Sequence, residues 1–423
     1  VGQDTEMEPV LRSAVGGALA IVNARKPRIR SRVLTIPSFF SGWITTEAAG
    51  PLLLRRAVHA VRAWRLGRYR TTQGKLALAL DAATMAGLVG LIQQGRRTDE
   101  EFEAVLAPYL DAETLAARPS SVRNGAIIPL FTGASTTKRM RNVGYVDDAR
   151  WRNKLDVYQP KRVEAATHEQ VPEGEAPKGS VPRPAIVEIH GGGWILGDKN
   201  QQGVPLLHHM VKNGWVGFNI NYRLAPKAKF PEQLIDCKRA IAWIRRNAVD
   251  LGVDPDFICV TGGSAGGYLT SMMALTANDP EFQPGFEDDD TTVQAAVPFY
   301  GVYDLEDSNH AMANGFDDFL RYVVVGTKMA DDLDRYRRFS PLHRVHADAP
   351  PMMIVHGTPD TLVPVEQARP FAEAMSKTSE HAVIYAELAG ANHAFDIFPS
   401  PRSVRTTEYV ERFLSGVHLG LIK

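Results

Sequence analysis

Cysteine is nearly absent: the 423-residue chain holds only Cys237 and Cys259. Two thiols cannot build a disulfide framework, and neither stands at a metal-ligand spacing, so no metal site is expected. Cys259 lies inside an apolar strand pattern and reads as a small core residue rather than a nucleophile. A charge excess is missing as well. Lys plus Arg equals Asp plus Glu, 48 each, which removes the overall attraction to nucleic acid. The glycine-rich runs carry neither a G-K-[ST] ending nor G-x-G-x-x-G, which sets phosphate-loop chemistry aside. No repeat, low-complexity tract or secretory leader is evident. What remains is 44% hydrophobic and 23% charged, a globular composition with enough length for a large core and two structural units.

The chain divides near residue 130. Residues 1–130 are basic and apolar in blocks, with a cluster of Arg25, Lys26, Arg28, Arg30 and Arg32. Leu34–Leu54 holds one charge, Glu47; Arg55–Arg70 is basic with a helical period; Leu76–Ile92 is apolar except for Asp81. Two apolar stretches of this length raise the question of a transmembrane hairpin. Pro37, Gly42, Gly50 and Pro51 interrupt the first, and a carboxylate mid-span costs roughly 2.5–3.5 kcal/mol on insertion scales. The expectation is therefore a helical N-terminal extension. Two readings stay open: a cap packed on the rest of the chain, or peripheral membrane contact through residues 25–95, whose basic flanks suit an anionic surface.

From about Asn142 the pattern becomes strands alternating with helices. Strands are expected at Lys154–Pro160, Ala185–His190, Trp215–Tyr222, Phe257–Gly263, Val293–Gly301, Pro351–Gly357 and Ala382–Leu388, with an amphipathic helix over Leu234–Gly252. Val163–Pro184, rich in Pro, Gly and Glu, reads as a solvated loop. Buried strands alternating with helices imply an α/β fold whose mostly parallel sheet is covered on both faces. Residues 131–423 are assigned to this unit.

Gly262-Gly263-Ser264-Ala265-Gly266 places a serine between a strand and a helix. On such a turn small neighbours clear space around the serine, and its hydroxyl stands at the N-terminus of the following helix. A serine needs a general base, and the base needs an orienting acid. Asp360 follows the strand ending at Gly357, and His393 follows the strand ending near Leu388. Taken singly, Asp360 also fits an Asx-turn or helix N-cap, and His393 a packed loop histidine. The order Ser264, Asp360, His393, each beyond a strand, favours a nucleophile, acid and base. Oxyanion donors are expected from the backbone amides of Gly192, Gly193 and Ala265, because His190–Lys199 is glycine-rich and follows a strand. His190 is expected to fix that loop and Trp194 to pack beneath it.

His190-Gly191-Gly192-Gly193-Trp194, Asn221–Pro226, Val253–Gly267, His356–Pro364 and Gly390–Asp396 together resemble the hormone-sensitive-lipase-like branch of the α/β-hydrolases, bacterial carboxylesterases and acetyl esterases above all. The resemblance covers about Asn142–Lys423. It implies an α/β-hydrolase sheet of about eight strands, Ser264 as nucleophile, His393 as base, Asp360 as acid, and Gly192, Gly193 and Ala265 as oxyanion donors, with no cofactor. The acid motif departs from the branch's DPLRDE-type form toward the acetyl-esterase type. The N-terminal extension resembles those of membrane-associated actinobacterial lipases and esterases. The reading is a bacterial serine ester hydrolase, cytoplasmic or membrane-associated, acting on short- to medium-chain acyl esters. The alternatives are an amidase of the arylformamidase kind, a long-chain lipase, or a silent scaffold. A homodimer is open by analogy, and the segment Asp304–Arg344 and the N-terminal helices are expected to line the acyl pocket.

Overall fold

The computed structural model describes residues 9–27, 34–111, 114, 137–161, 181–398 and 400–423. Arg28, Arg30 and Arg32 of the basic cluster, most of the Val163–Pro184 loop and the boundary near residue 130 lie outside the described residues.

Eight strands form one sheet: β1 (Thr137–Gly144), β2 (Lys154–Pro160), β3 (Arg183–Ile189), β4 (Val216–Ile220), β5 (Val253–Gly263), β6 (Ala295–Phe299), β7 (Met352–Gly357) and β8 (Val383–Leu388). Their spatial order is β1-β2-β4-β3-β5-β6-β7-β8. β2 runs antiparallel to β1 and β4, and every pairing beyond β4 is parallel. This is the α/β-hydrolase arrangement that the strand pattern and the resemblance led us to expect. β1 escaped the periodicity reading because its sequence, TKRMRNVG, is charged and only half-buried. Charge suits an edge strand, where it blocks further pairing.

Alternation along the strands separates two cores. On one face Val187, Ile258 and Val260 meet α7 (Glu232–Arg246), α8 (Ala265–Leu275) and α9 (Ala368–Thr378) through Leu234, Ile241, Leu269, Met272 and Phe371. On the other, Ile186, Cys259 and Val297 meet α6 (Val204–Lys212) and α10 (Pro401–His418) through Leu207, Met210, Val410 and Phe413. α8 is buried at every position, as a helix between sheet and outer helices must be. The helix expected over 234–252 ends at Arg246, and a separate turn covers Ala248–Leu251.

The N-terminal extension is helical: α1 (Pro9–Arg25), α2 (Thr35–Glu47), α3 (Ala49–Arg65), α4 (Thr72–Arg96) and α5 (Thr98–Leu106). The first apolar stretch breaks at Ala48 into α2 and α3. Thirteen residues of α2 span about 20 Å at 1.5 Å per residue, too short for a hydrocarbon core of about 30 Å. Thr72–Leu106 is long and apolar enough to cross a bilayer by length and composition alone. Its Asp81, however, is fully buried between Arg56 (3.0 Å) and the Tyr69 hydroxyl (2.7 Å). Small residues let α1 approach α4: a side chain at Gly87 would meet Ile21 at 2.6 Å. α5 sends Phe102 and Leu106 into the core beneath the sheet, so the last of these helices is built into the α/β unit.

Candidate active site

Four strands end at one place. β3 ends at the glycine loop, β5 at Ser264, β7 before Asp360 and β8 before His393. Parallel strands leave their carboxyl ends on one side of the sheet, so residues far apart in sequence converge there.

Ser264 has φ 59° and ψ −120°, a left-handed conformation that costs a non-glycine residue on the order of 1–3 kcal/mol. Two bonds hold it. Its N–H donates to the Phe299 carbonyl (3.0 Å), and its carbonyl accepts from Tyr268 N–H (2.9 Å). Gly266 has to lack a side chain, because a Cβ there would overlap the Ile189 carbonyl oxygen. A Cβ at Gly191 would lie 3.2 Å from the Ser264 Cβ, so the glycine loop abuts the serine turn. Among the described residues the amides of Gly192, Gly193 and Ala265 donate to no protein acceptor. Ala265 opens α8, whose N-terminal dipole favours negative charge.

Asp360 and His393 meet. His393 Nδ1 lies 2.7 Å from Asp360 Oδ2, and both side chains are buried. Asp360 Oδ1 accepts from Leu362 N (2.9 Å) and Val363 N (2.8 Å). The Asx-turn and the histidine contact thus coexist, one oxygen serving each. No hydrogen bond joins Ser264 to His393; such contacts are often long in unliganded sites and tighten around substrate.

The glycine loop has its own supports. His190 Nδ1 lies 2.8 Å from the Gly191 carbonyl and its ring stacks on Tyr222 at 4.3 Å. Burial holds its pKa down to about 4, so it stays neutral and suits a structural part. Trp194 is buried edge-on to Tyr268 at 5.2 Å, beneath the loop as expected. Arg152 donates to the Gly197 carbonyl (2.7 Å), and the buried Lys199 pairs with buried Asp156 (2.6 Å). The run Phe316–Val325 divides: Leu320 and Val324 are core, Tyr322 is exposed, and Phe319 reaches the glycine loop beside Gly193 and Trp194.

Several residues to which the sequence assigns no role surround the site. Asn392 Oδ1 accepts from His393 N (2.8 Å) and from Thr361 N and Oγ1 (3.2 Å each), tying the acid loop to the histidine loop. Tyr300 lies between Gly263 and the His393 ring, 4.5 Å from the latter, with its hydroxyl on Asp396. His356 Nε2 lies 2.8 Å from the Val363 carbonyl; burial lowers its pKa against the pull of Asp360. From the N-terminal extension, Trp43 Nε1 donates to the Ala394 carbonyl (2.8 Å), and Phe39 stands edge-on to His393 at 6.1 Å. Glu47 bonds Arg402 (2.9 Å) and Ser400 (2.5 Å) in a buried cluster, and Arg402 also donates to the Gly390 carbonyl (3.0 Å). Ala394 has φ 57°, so the loop is bent at the residue that Trp43 holds.

A protein-family model described as BD-FAE matches residues 175–375. The chain is 37% identical over 416 residues to the probable carboxylic ester hydrolase LipM of Mycobacterium tuberculosis, covering 95% of this chain and 91% of that protein. It is 43% identical over 235 residues to esterase LipQ of the same organism, 56% of each chain. Among solved structures, the thermophilic esterase Est2 of Thermogutta terrifontis superposes with a TM-score of 0.51 at 29% identity, over 68% of this chain and 94% of that one.

Proposed function

We propose, from the premise that this chain belongs to the hormone-sensitive-lipase-like carboxylic ester hydrolases of the α/β-hydrolase fold, that it cleaves small acyl esters through Ser264, His393 and Asp360. The observation that carries the reading is the buried 2.7 Å contact between His393 Nδ1 and Asp360 Oδ2 beyond the serine strand. With Nδ1–H donated to the carboxylate, His393 Nε2 presents a lone pair. It takes the Ser264 proton as Oγ attacks the ester carbonyl. The amides of Gly192, Gly193 and Ala265 hold the tetrahedral oxyanion. The C–O bond breaks, His393 returns the proton to the departing alcohol, and water, deprotonated by His393, releases the acid from the acyl-enzyme. Short- to medium-chain acyl groups are the substrate class, with arylformamidase-type amide cleavage and long-chain lipase action as the alternatives.

The test is hydrolysis of p-nitrophenyl esters from acetyl to palmitoyl beside a formamide substrate. Ser264→Ala is expected to lose turnover by on the order of 10⁴-fold or more while remaining folded. Near-normal turnover in that variant would overturn the assignment. The proposal treats residues 131–423 as the catalytic domain and residues 1–130 as its helical extension, and it includes peripheral membrane contact through residues 25–95. The exposed apolar and basic side chains of α2 and α3 support that contact. β8 is an edge strand, which supports a homodimer paired there; sedimentation of the purified chain tests it.

A further inference from the structure

α2 has two faces with different partners. The inner face buries Phe39, Trp43 and Glu47 on the histidine loop and on α10. The outer face shows Ile36, Phe40 and Ile44, which are 51%, 49% and 45% exposed. Their spacing, i, i+4, i+8, draws one stripe along the helix. The two faces are continuous through aromatic contacts. Phe40 packs on Phe39 at 5.0 Å, and Phe39 stands against His393. A chain of ring contacts therefore links the outer stripe to His393.

α3 follows after Ala48 and repeats the pattern. Leu54, Val58, Val61 and Trp64 are exposed, Trp64 by 71%. More than half of the large apolar side chains that the described residues leave exposed fall between Leu19 and Val89. Isolated apolar residues on a surface need no explanation, but a concentration of them marks an interaction face.

Charge identifies the partner. Between Thr35 and Arg97 the only acidic residues are Glu47 and Asp81, and both are buried in ion pairs. Arg55, Arg62, Arg65, Arg68, Arg70 and Lys75 are exposed. A second copy docked through this face would set arginine against arginine with no carboxylate between. A nucleic acid would use the cations and leave the apolar stripes in water. An anionic bilayer satisfies both, headgroups meeting the arginines and the acyl boundary taking the apolar side chains.

We infer that the outer faces of α2 and α3 dock on a bilayer bearing anionic headgroups, and that α2 passes a bilayer-resident acyl ester along Phe40 and Phe39 to Ser264. This rests on the reading of the chain as an ester hydrolase with peripheral membrane contact. It adds the docking face, the headgroup charge and the phase from which the substrate comes.

Cosedimentation of the full chain with vesicles of phosphatidylcholine, alone or mixed with phosphatidylglycerol, tests the docking. Binding is expected to the mixed vesicles only, weakening with added salt. Ile36→Ser/Ile44→Ser is expected to weaken it about tenfold or more, the loss of two exposed aliphatic side chains that docking would bury. Fluorophosphonate labelling of Ser264 in the variant checks its fold. Equal binding to both vesicle types, no binding, or full binding by the variant overturns the docking. A concentration-dependent dimer abolished by the same variant also overturns it, giving the face to a second copy. An ester embedded in the mixed vesicles tests delivery: faster turnover than on neutral vesicles is expected. Vesicle binding without such turnover, beside normal cleavage of soluble p-nitrophenyl acetate, overturns delivery alone. Failure on both esters together strikes the hydrolase reading instead.

Discussion

Asp360 serves two structures with two oxygens, and that division predicts how its variants separate. Asp360→Asn keeps an oxygen for the Leu362 and Val363 amides. It sets an amide against His393 Nδ1, which favours the wrong tautomer. Ester turnover is expected to fall by on the order of 10⁴-fold with the melting temperature near that of the parent. Asp360→Ala loses the turn as well and should melt lower; equal melting of the two variants would show that the turn contributes nothing. Glu188 on β3 presents a different residue-scale problem. It is buried against Gly203 and pairs with no cation among the described residues, and burial, then the nearby Asp396, raises its pKa well above the ordinary carboxylate value. A raised folded pKa contributes stability below the unfolded pKa of about 4.3, and that contribution is lost as pH rises toward the folded value. Glu188→Gln removes the loss. Its melting temperature relative to the parent is therefore expected to climb from pH 4 through neutrality. A pH-independent difference would mean that folding leaves the Glu188 pKa at its unfolded value.

At the scale of elements, α2 links the N-terminal helices to the histidine loop. Trp43→Phe keeps an aromatic ring beside Phe398, which stacks on Trp43 at 4.5 Å, and removes the donor to the Ala394 carbonyl. The loop beside His393 then loses a tether. The rate of fluorophosphonate labelling and kcat are expected to fall roughly tenfold, since small misplacements of a base are costly, while KM stays near its parent value. An unchanged labelling rate would reduce Trp43 to packing. The Glu47–Arg402 pair is the stronger link. Glu47→Ala leaves a buried guanidinium without its carboxylate, a change that costs about 3–5 kcal/mol, and a urea titration reads it. Replacing both partners with apolar side chains is expected to cost much less.

At the scale of the whole molecule, these contacts bear on whether the N-terminal extension is a removable cap. Glu101 accepts from the Ala389 amide (3.0 Å), and Glu103 accepts from the Tyr409 hydroxyl (2.9 Å). Phe102 and Leu106 complete the core under the sheet. A chain lacking residues 1–97 is expected to lose fluorophosphonate labelling even where it stays soluble; full labelling would make the extension a detachable lid. The α/β class, seven of the eight strands and the order of Ser264, Asp360 and His393 were legible from the residues. Strand periodicity, glycine sterics and motif order are local properties, written in consecutive positions. β1 was not legible, because an edge strand carries charge where an inner strand carries Val and Ile. Nor were the partners of the histidine loop. Trp43 meets Ala394 across 351 positions and Glu47 meets Arg402 across 355, separations at which no spacing rule connects two residues. The sequence by itself determined which residues are suited to the chemistry. Only the packing of α2 against the loop beyond β8 decided which side chains hold His393 in place, because that proximity follows from how the whole chain closes rather than from any stretch of it.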